Sequence, residues 1–123
     1  MVRFIHCVRK RDDISLEDFR AYWQSPEFDL LLQRMAQFIG ARRYAKNATL
    51  AVDANLWVME MRNLGEPFDG VIEYWWENAA HVMQVALTDS FQQLRDEIEA
   101  CQGKFIALDR SLMFFTEGGQ VER

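Results

Sequence analysis

The sequence predicts an α+β fold: a four-stranded antiparallel sheet with helices on one face. Three observations lead there. Four short stretches, VRFIHCVR, GARRYAKNATL, VIEYWW and RSLMFFTE, are rich in alternating or β-branched and aromatic residues, and the stretches between them place apolar residues at three- and four-residue steps. Their order is strand, helix, strand, strand, helix, strand. Half of the 123 residues are apolar, enough for an ordinary core, and the chain reads as one domain over 1–123.

Each element has its own local signals. The first strand alternates Val2, Phe4, His6 and Val8 with Arg3, Ile5, Cys7 and Arg9, so at least one face is buried. KRDD leaves the sheet. Ser15, with Asp18 three positions on, resembles a capping box, and Leu16, Phe19 and Trp23 share one helical stripe. Gly40 is a natural helix stop, and the strand after it sets Tyr44 and Lys46 against Arg43, Ala45 and Asn47. The connection from Ala51 to Pro67 is too long to be structureless, so NLWVMEMRN is expected to form a short helix or an irregular strand. Asp69-Gly70 turns the chain into a third strand of aromatic and β-branched character. Asn78 caps AAHVMQVAL, and beyond Thr88-Asp89-Ser90 a further helix carries Phe91, Leu94, Ile98, Cys101 and Phe105. RSLMFFTE closes the sheet.

This order is the split βαβ, ferredoxin-like arrangement, βαββαβ. It leaves the second face of the sheet uncovered. Ile72, Tyr74 and Trp76 on one alternation and Val71 and Trp75 on the other make both faces apolar, so a homodimer through the open sheet face is expected.

Composition argues against several functions. The net charge is −5 and the basic residues are scattered, which provides neither a stripe to neutralise phosphates nor a polybasic membrane anchor. Nucleic acid and membrane are therefore not expected as partners. The opening MVRFIHCVRK reaches charge too soon for a signal peptide, no apolar run approaches ~20 residues, and a cytoplasmic protein is expected. Cys7 and Cys101 lack metal-type spacing and read as free buried thiols; with only His6 and His81 besides, no metal site is expected.

Four segments in order resemble the EthD family. ISLEDFRAYWQ looks like its opening helix, GARRYAKNATL like its second strand, FDGVIEYWWEN like its third strand and the helix start that follows, and ALDRSLMFFTE like its last strand. The resemblance runs from Val2 to Glu117. It implies a dimeric α+β barrel with a small-molecule cavity between sheet and helices in each subunit. Relatives of that fold include cofactor-independent monooxygenases, polyketide cyclases, and dehydratases or decarboxylases acting on phenolic and polycyclic molecules. Many family members place a cavity-facing His four residues after the Trp of their Tyr-Trp pair. Here Glu27 holds that place, after Trp23-Gln24-Ser25-Pro26, and a His-based mechanism does not carry over.

Glu27 supports two readings. A helix continued at 100° per residue puts it on the stripe of Leu16, Phe19, Trp23 and Leu30, aimed at the sheet as a general acid or base. A helix restarted at Ser25, with Pro26 in its first position, makes Glu27 a first-turn carboxylate stabilised by free amides and the macrodipole. His6 is a second candidate base or a packed core residue. Tyr44 is the candidate hydroxyl donor, with Asn47 on the opposite strand face. Phe19, Trp23 and Trp76 are candidate walls of an aromatic ligand site or ordinary core. Glu73, on a buried strand, calls for Arg42, Arg43 or Arg110 as partner, and His81 projects away from its helix's apolar side. No Gly-rich phosphate loop or haem pattern appears, so no cofactor is expected. The expected ligand is an apolar or aromatic small molecule. The alternative is a non-catalytic binding or assembly dimer.

Overall fold

The computed structural model describes residues 1–78 and 80–118, with the side chain of His81 outside that description. Strand β1 (Val2–Val8) leads into α1 (Leu16–Trp23), α2 (Pro26–Phe38) and β2 (Arg43–Ala48). Then follow α3 (Asp53–Met61), β3 (Gly70–Trp76), α4 (Ala80–Val85), α5 (Asp89–Gln102), a single 3₁₀ turn Leu108–Arg110, and β4 (Leu112–Glu117). The sheet order is β2-β3-β1-β4 with every neighbouring pair antiparallel, which is the ferredoxin-like topology.

Register assigns the two faces. His6 opposes Ile72 and Met113, Phe4 opposes Tyr74 and Phe115, and Tyr74 opposes Tyr44, so these residues share the face toward the helices. The other face carries Ile5, Val71, Glu73, Trp75, Leu112 and Phe114. On it the guanidinium groups of Arg3 and Arg43 lie over the Trp75 ring at 5.4 and 5.3 Å, and Phe114 and Leu112 stay 44% and 54% exposed. Glu73 pairs loosely with Arg3 at 3.9 Å rather than with Arg42, Arg43 or Arg110, because Arg3 lies across the strand pair on its own face. Arg42 binds Glu77 and Arg110 binds Asp12.

The helix stripe does not run through unbroken. Ser15 Oγ accepts from the Asp18 amide at 3.0 Å and starts α1; Ser25 Oγ accepts from the Phe28 amide at 3.3 Å and starts α2 with Pro26 in its first turn. Pro26 lacks the N–H and clashes with the preceding turn of a continuing helix, so the chain breaks and resets the phase. Phe28, Leu31, Leu32 and Met35 then turn inward. Lys46 clamps the break: its ammonium donates to the Trp23 carbonyl at the end of α1 and to Asp29 in the first turn of α2. Helix α2 ends at Gly40, whose φ is 67°; the amides of Gly40 and Ala41 bond back to Gln37 and Ala36, a glycine-terminated cap.

One end of the helix–sheet layer is filled by aromatics. Phe28 and Phe105 meet edge to face at 5.1 Å, Phe19 stacks on Trp23 at 5.5 Å, and all four are buried. Trp23 packs closely against Gly70, where a Cβ would fall 2.5 Å from the indole. Glycine is needed there for close approach. The segment NLWVMEMRN forms α3, a helix with no buried residue, and leaves Trp57 63% exposed.

Candidate functional site

At the other end of the same layer the side chains do not meet. A cavity of about 380 Å³ opens between the sheet and helices α2, α4 and α5. Its inner wall is Leu32, Ile39, Ile72, Tyr74, Trp76 and Ile98, and its rim includes the exposed side chains of Met83, Met113 and Phe115 with Arg95 and Glu99. Its size and largely apolar lining with a few polar groups are those of a small-molecule site. A broader, more open depression of about 1030 Å³ between α2 and α5 is lined mostly by exposed side chains such as Arg34, Gln37, Gln93 and Glu97.

Two polar side chains in the cavity wall are themselves buried. His6, on β1, is 3% exposed, and Gln102, in the last turn of α5, is 3% exposed. Neither side chain makes a hydrogen bond among the described residues, whereas Tyr74 Oη donates to the Leu32 carbonyl at 3.4 Å and Trp76 Nε1 to the Ile39 carbonyl at 2.9 Å. Burial pushes the His6 imidazole down to about 4, so it is neutral near pH 7. Burial, helped by neighbouring Tyr44, holds the Tyr74 phenol well above its ordinary value, so it remains a donor.

Of the residues singled out from sequence, His6 and Trp76 line this cavity. Glu27 does not. The restarted helix places it in the first turn of α2, with its side chain 63% exposed and 3.7 Å from the Lys104 ammonium. Phe28 takes the inward position that an unbroken stripe assigned to Glu27. Tyr44 is 41% exposed at the sheet edge and stacks on Tyr74 at 6.2 Å without reaching the cavity. Asn47 lies on the opposite sheet face, and Phe19 and Trp23 belong to the filled aromatic end.

Tyr74 and Gln102 had legible signals that the sequence reading passed over. Tyr74 shares the alternation of Ile72 and Trp76, and Gln102 follows Ile98 by four residues on the stripe that also holds Leu94 and Cys101. Among the described residues no three His, Cys, Asp or Glu side chains gather as metal ligands, and no helix is long and apolar enough to cross a membrane.

The EthD domain model matches residues 11–109, a span that leaves out β1 with His6 and all of β4. Among solved structures, a dimeric protein of ferredoxin-like fold from Bacteroides fragilis NCTC 9343 superposes with a TM-score of 0.60 at 13% identity, over 95% of each chain. An ethyl tert-butyl ether D (EthD) family protein from Bacillus halodurans C-125 gives 0.58 at 15% identity, over 97% of this chain and 99% of that one. An antibiotic biosynthesis monooxygenase gives 0.53 at 14%, over 98% and 100%. No curated protein matches the sequence.

Proposed function

Because the chain belongs to the EthD family, we propose that it binds an apolar or aromatic organic molecule in the cavity between sheet and helices, with no resident cofactor. The observation that carries this reading is the apolar cavity itself, open at one side and backed by a buried His6 whose side chain has no partner among the described residues. Filling it is favourable because apolar walls leave water, at ~25 cal/mol per Å² buried. The working form is a homodimer joined through the face of Ile5, Val71, Trp75 and Phe114, where exposed apolar surface flanks the Arg3–Glu73 pair. The Bacteroides fragilis neighbour, a dimer of this fold, supports it. The free thiols Cys7 and Cys101 suit a reducing cytoplasm.

A second reading adds proton transfer. It is favoured by His6, which has no side-chain partner among the described residues, and by Tyr74, a protonated donor on the same wall. Against it stands basicity: an imidazole pushed down to about 4 is a weak general base at neutral pH, where the effective base is matched to the working pH. Binding without chemistry is therefore the reading the geometry supports best. Glu27, at the position of the family His, has no line to the cavity and takes no part in it.

The test is a thermal-shift series with naphthalene-sized aromatic and acyclic apolar compounds on wild type and Ala86→Phe, which narrows the cavity. A compound at 100 times its dissociation constant stabilises the native state by ~2.7 kcal/mol, on the order of 8 °C in a domain this size. The expected result is a rise in the wild type and none in the variant; equal shifts in both would sink the cavity reading. Light scattering at micromolar concentration is expected to give twice the 14.5 kDa of one chain, and a monomer would remove the dimer.

A further inference from the structure

We infer that the inner end of the cavity is built to receive a neutral hydroxyl group, with His6 accepting its proton in a hydrogen bond and Gln102 donating to its oxygen. This rests on the small-molecule reading above and goes beyond it by naming the functional group the ligand must carry.

Buried polar side chains are nearly always paired, and an unpaired one costs ~1–3 kcal/mol. His6 and Gln102 are each 3% exposed, line the same cavity, and have no side-chain partner among the described residues. Among the described residues, no buried side-chain nitrogen or oxygen is both sealed off and unpaired. The free polar atoms of His6 and Gln102 are therefore turned to the open space of the cavity, where a ligand can reach them. The neighbouring polar groups are already used: Tyr74 on Leu32 and Trp76 on Ile39.

The chemistry of the pair narrows the ligand. A neutral imidazole offers one donor and one bare nitrogen, and a glutamine amide offers two donors and one oxygen. A hydroxyl group matches this set, donating to the imidazole nitrogen and accepting from the amide. An ether or ketone oxygen only accepts, and leaves the imidazole nitrogen unpaired in a dry site. Charge is disfavoured at this depth. Arg95, the cation of the cavity lining, is half exposed and engaged with Glu99 at 3.7 Å and Asp96 at 3.9 Å. A carboxylate carried inward would lose its water and meet no countercharge. An ammonium would be no better placed, since Glu99 stands beside Arg95.

Titration calorimetry at pH 7.5 with 2-naphthol, 2-methoxynaphthalene and 2-naphthoate tests this on one ring system. The wild-type protein is expected to bind 2-naphthol at least about tenfold more tightly than either analogue. In His6→Leu and in Gln102→Leu the preference for naphthol over the methoxy compound should fall toward unity while the methoxy compound binds as well or better. Equal wild-type affinity for all three compounds would overturn the hydroxyl assignment and leave the cavity reading intact. So would an unchanged preference in both variants, or tighter binding of the naphthoate. Failure of all three to bind at millimolar concentration would remove both.

Discussion

The helix–sheet layer has two ends made from the same kinds of side chain. At the Val8–Gly70 end, Phe19, Trp23, Phe28 and Phe105 interlock, and the sheet contributes a glycine so that the indole can lie on its backbone. At the Phe4–Tyr74 end the aromatics Tyr74, Trp76 and Phe115 stand 6.2 and 6.3 Å apart in a chain, and between them and α5 the volume is left open. Aromatic content alone therefore decides neither packing nor site. What differs is the partner facing the sheet: Phe28 of α2 and Phe105, just past α5, project into the first end, whereas Gln102 of α5 and Ala86, just past α4, line the second.

The widest gap between the two ends should appear on truncation. Phe105→Ala is expected to destabilise by about 3–5 kcal/mol, since it removes a fully buried ring touching three other aromatics. Phe115→Ala, from a half-exposed rim position, should cost about 1 kcal/mol or less. Urea midpoints of the two variants measure the difference, and equal losses would mean the hollow end is packed in solution.

This contrast also explains what the sequence could disclose. Period-two and helical spacing locate the strands and long helices because burial on one face imposes them, and Gly40, Ser15 and Asn78 mark their ends through backbone chemistry that acts locally. The long connection stayed ambiguous because LWVMEM has a single polar residue, Glu60, too few to set a period; it lies in α3, which has no buried residue. The site was harder. His6 and Trp76 were legible from strand parity, since their strands are unbroken. Glu27 was legible only as two alternatives, an unbroken stripe or a restart at Ser25-Pro26, and the structure has the restart, in which Phe28 turns inward. A hollow is likewise a property of facing side chains, and no single stretch carries it.

A smaller effect separates the two ends by pH. The four interlocked rings of the filled end carry no titratable group, while the wall of the hollow end holds buried His6, with Tyr74, Arg95 and Glu99 beside it. The folded imidazole is held down to about 4 against 6.5 in the open chain, so between those values the unfolded state binds a proton that the native state refuses. Stability should be full above pH 6.5 and fall as pH is lowered toward 4, by about 3 kcal/mol in all. The Asp13 carboxylate, held low by Arg11, loses its contribution only as pH falls below about 3.8, outside this window. Urea midpoints at pH 7.5 and 4.5 for wild type and His6→Leu check it. The variant should show a flatter profile, and an identical slope in both would mean that His6 is solvated.

The smallest effect belongs to Glu27, and its smallness is informative. Its carboxylate has the favourable amides of a helix start and a Lys104 partner at 3.7 Å, yet both groups are more than half exposed. Exposed pairs of this kind contribute ~0–1 kcal/mol, because water screens the charges and two long side chains lose freedom to meet. Glu27→Gln keeps the side-chain shape, so a loss under about 0.5 kcal/mol is expected. Affinity for 2-naphthol should not change, because Phe28 rather than Glu27 faces inward after the helix restarts. A tenfold loss of that affinity with an unchanged urea midpoint would instead show that the start of α2 rearranges to bring the carboxylate to the ligand, joining the two ends in one site.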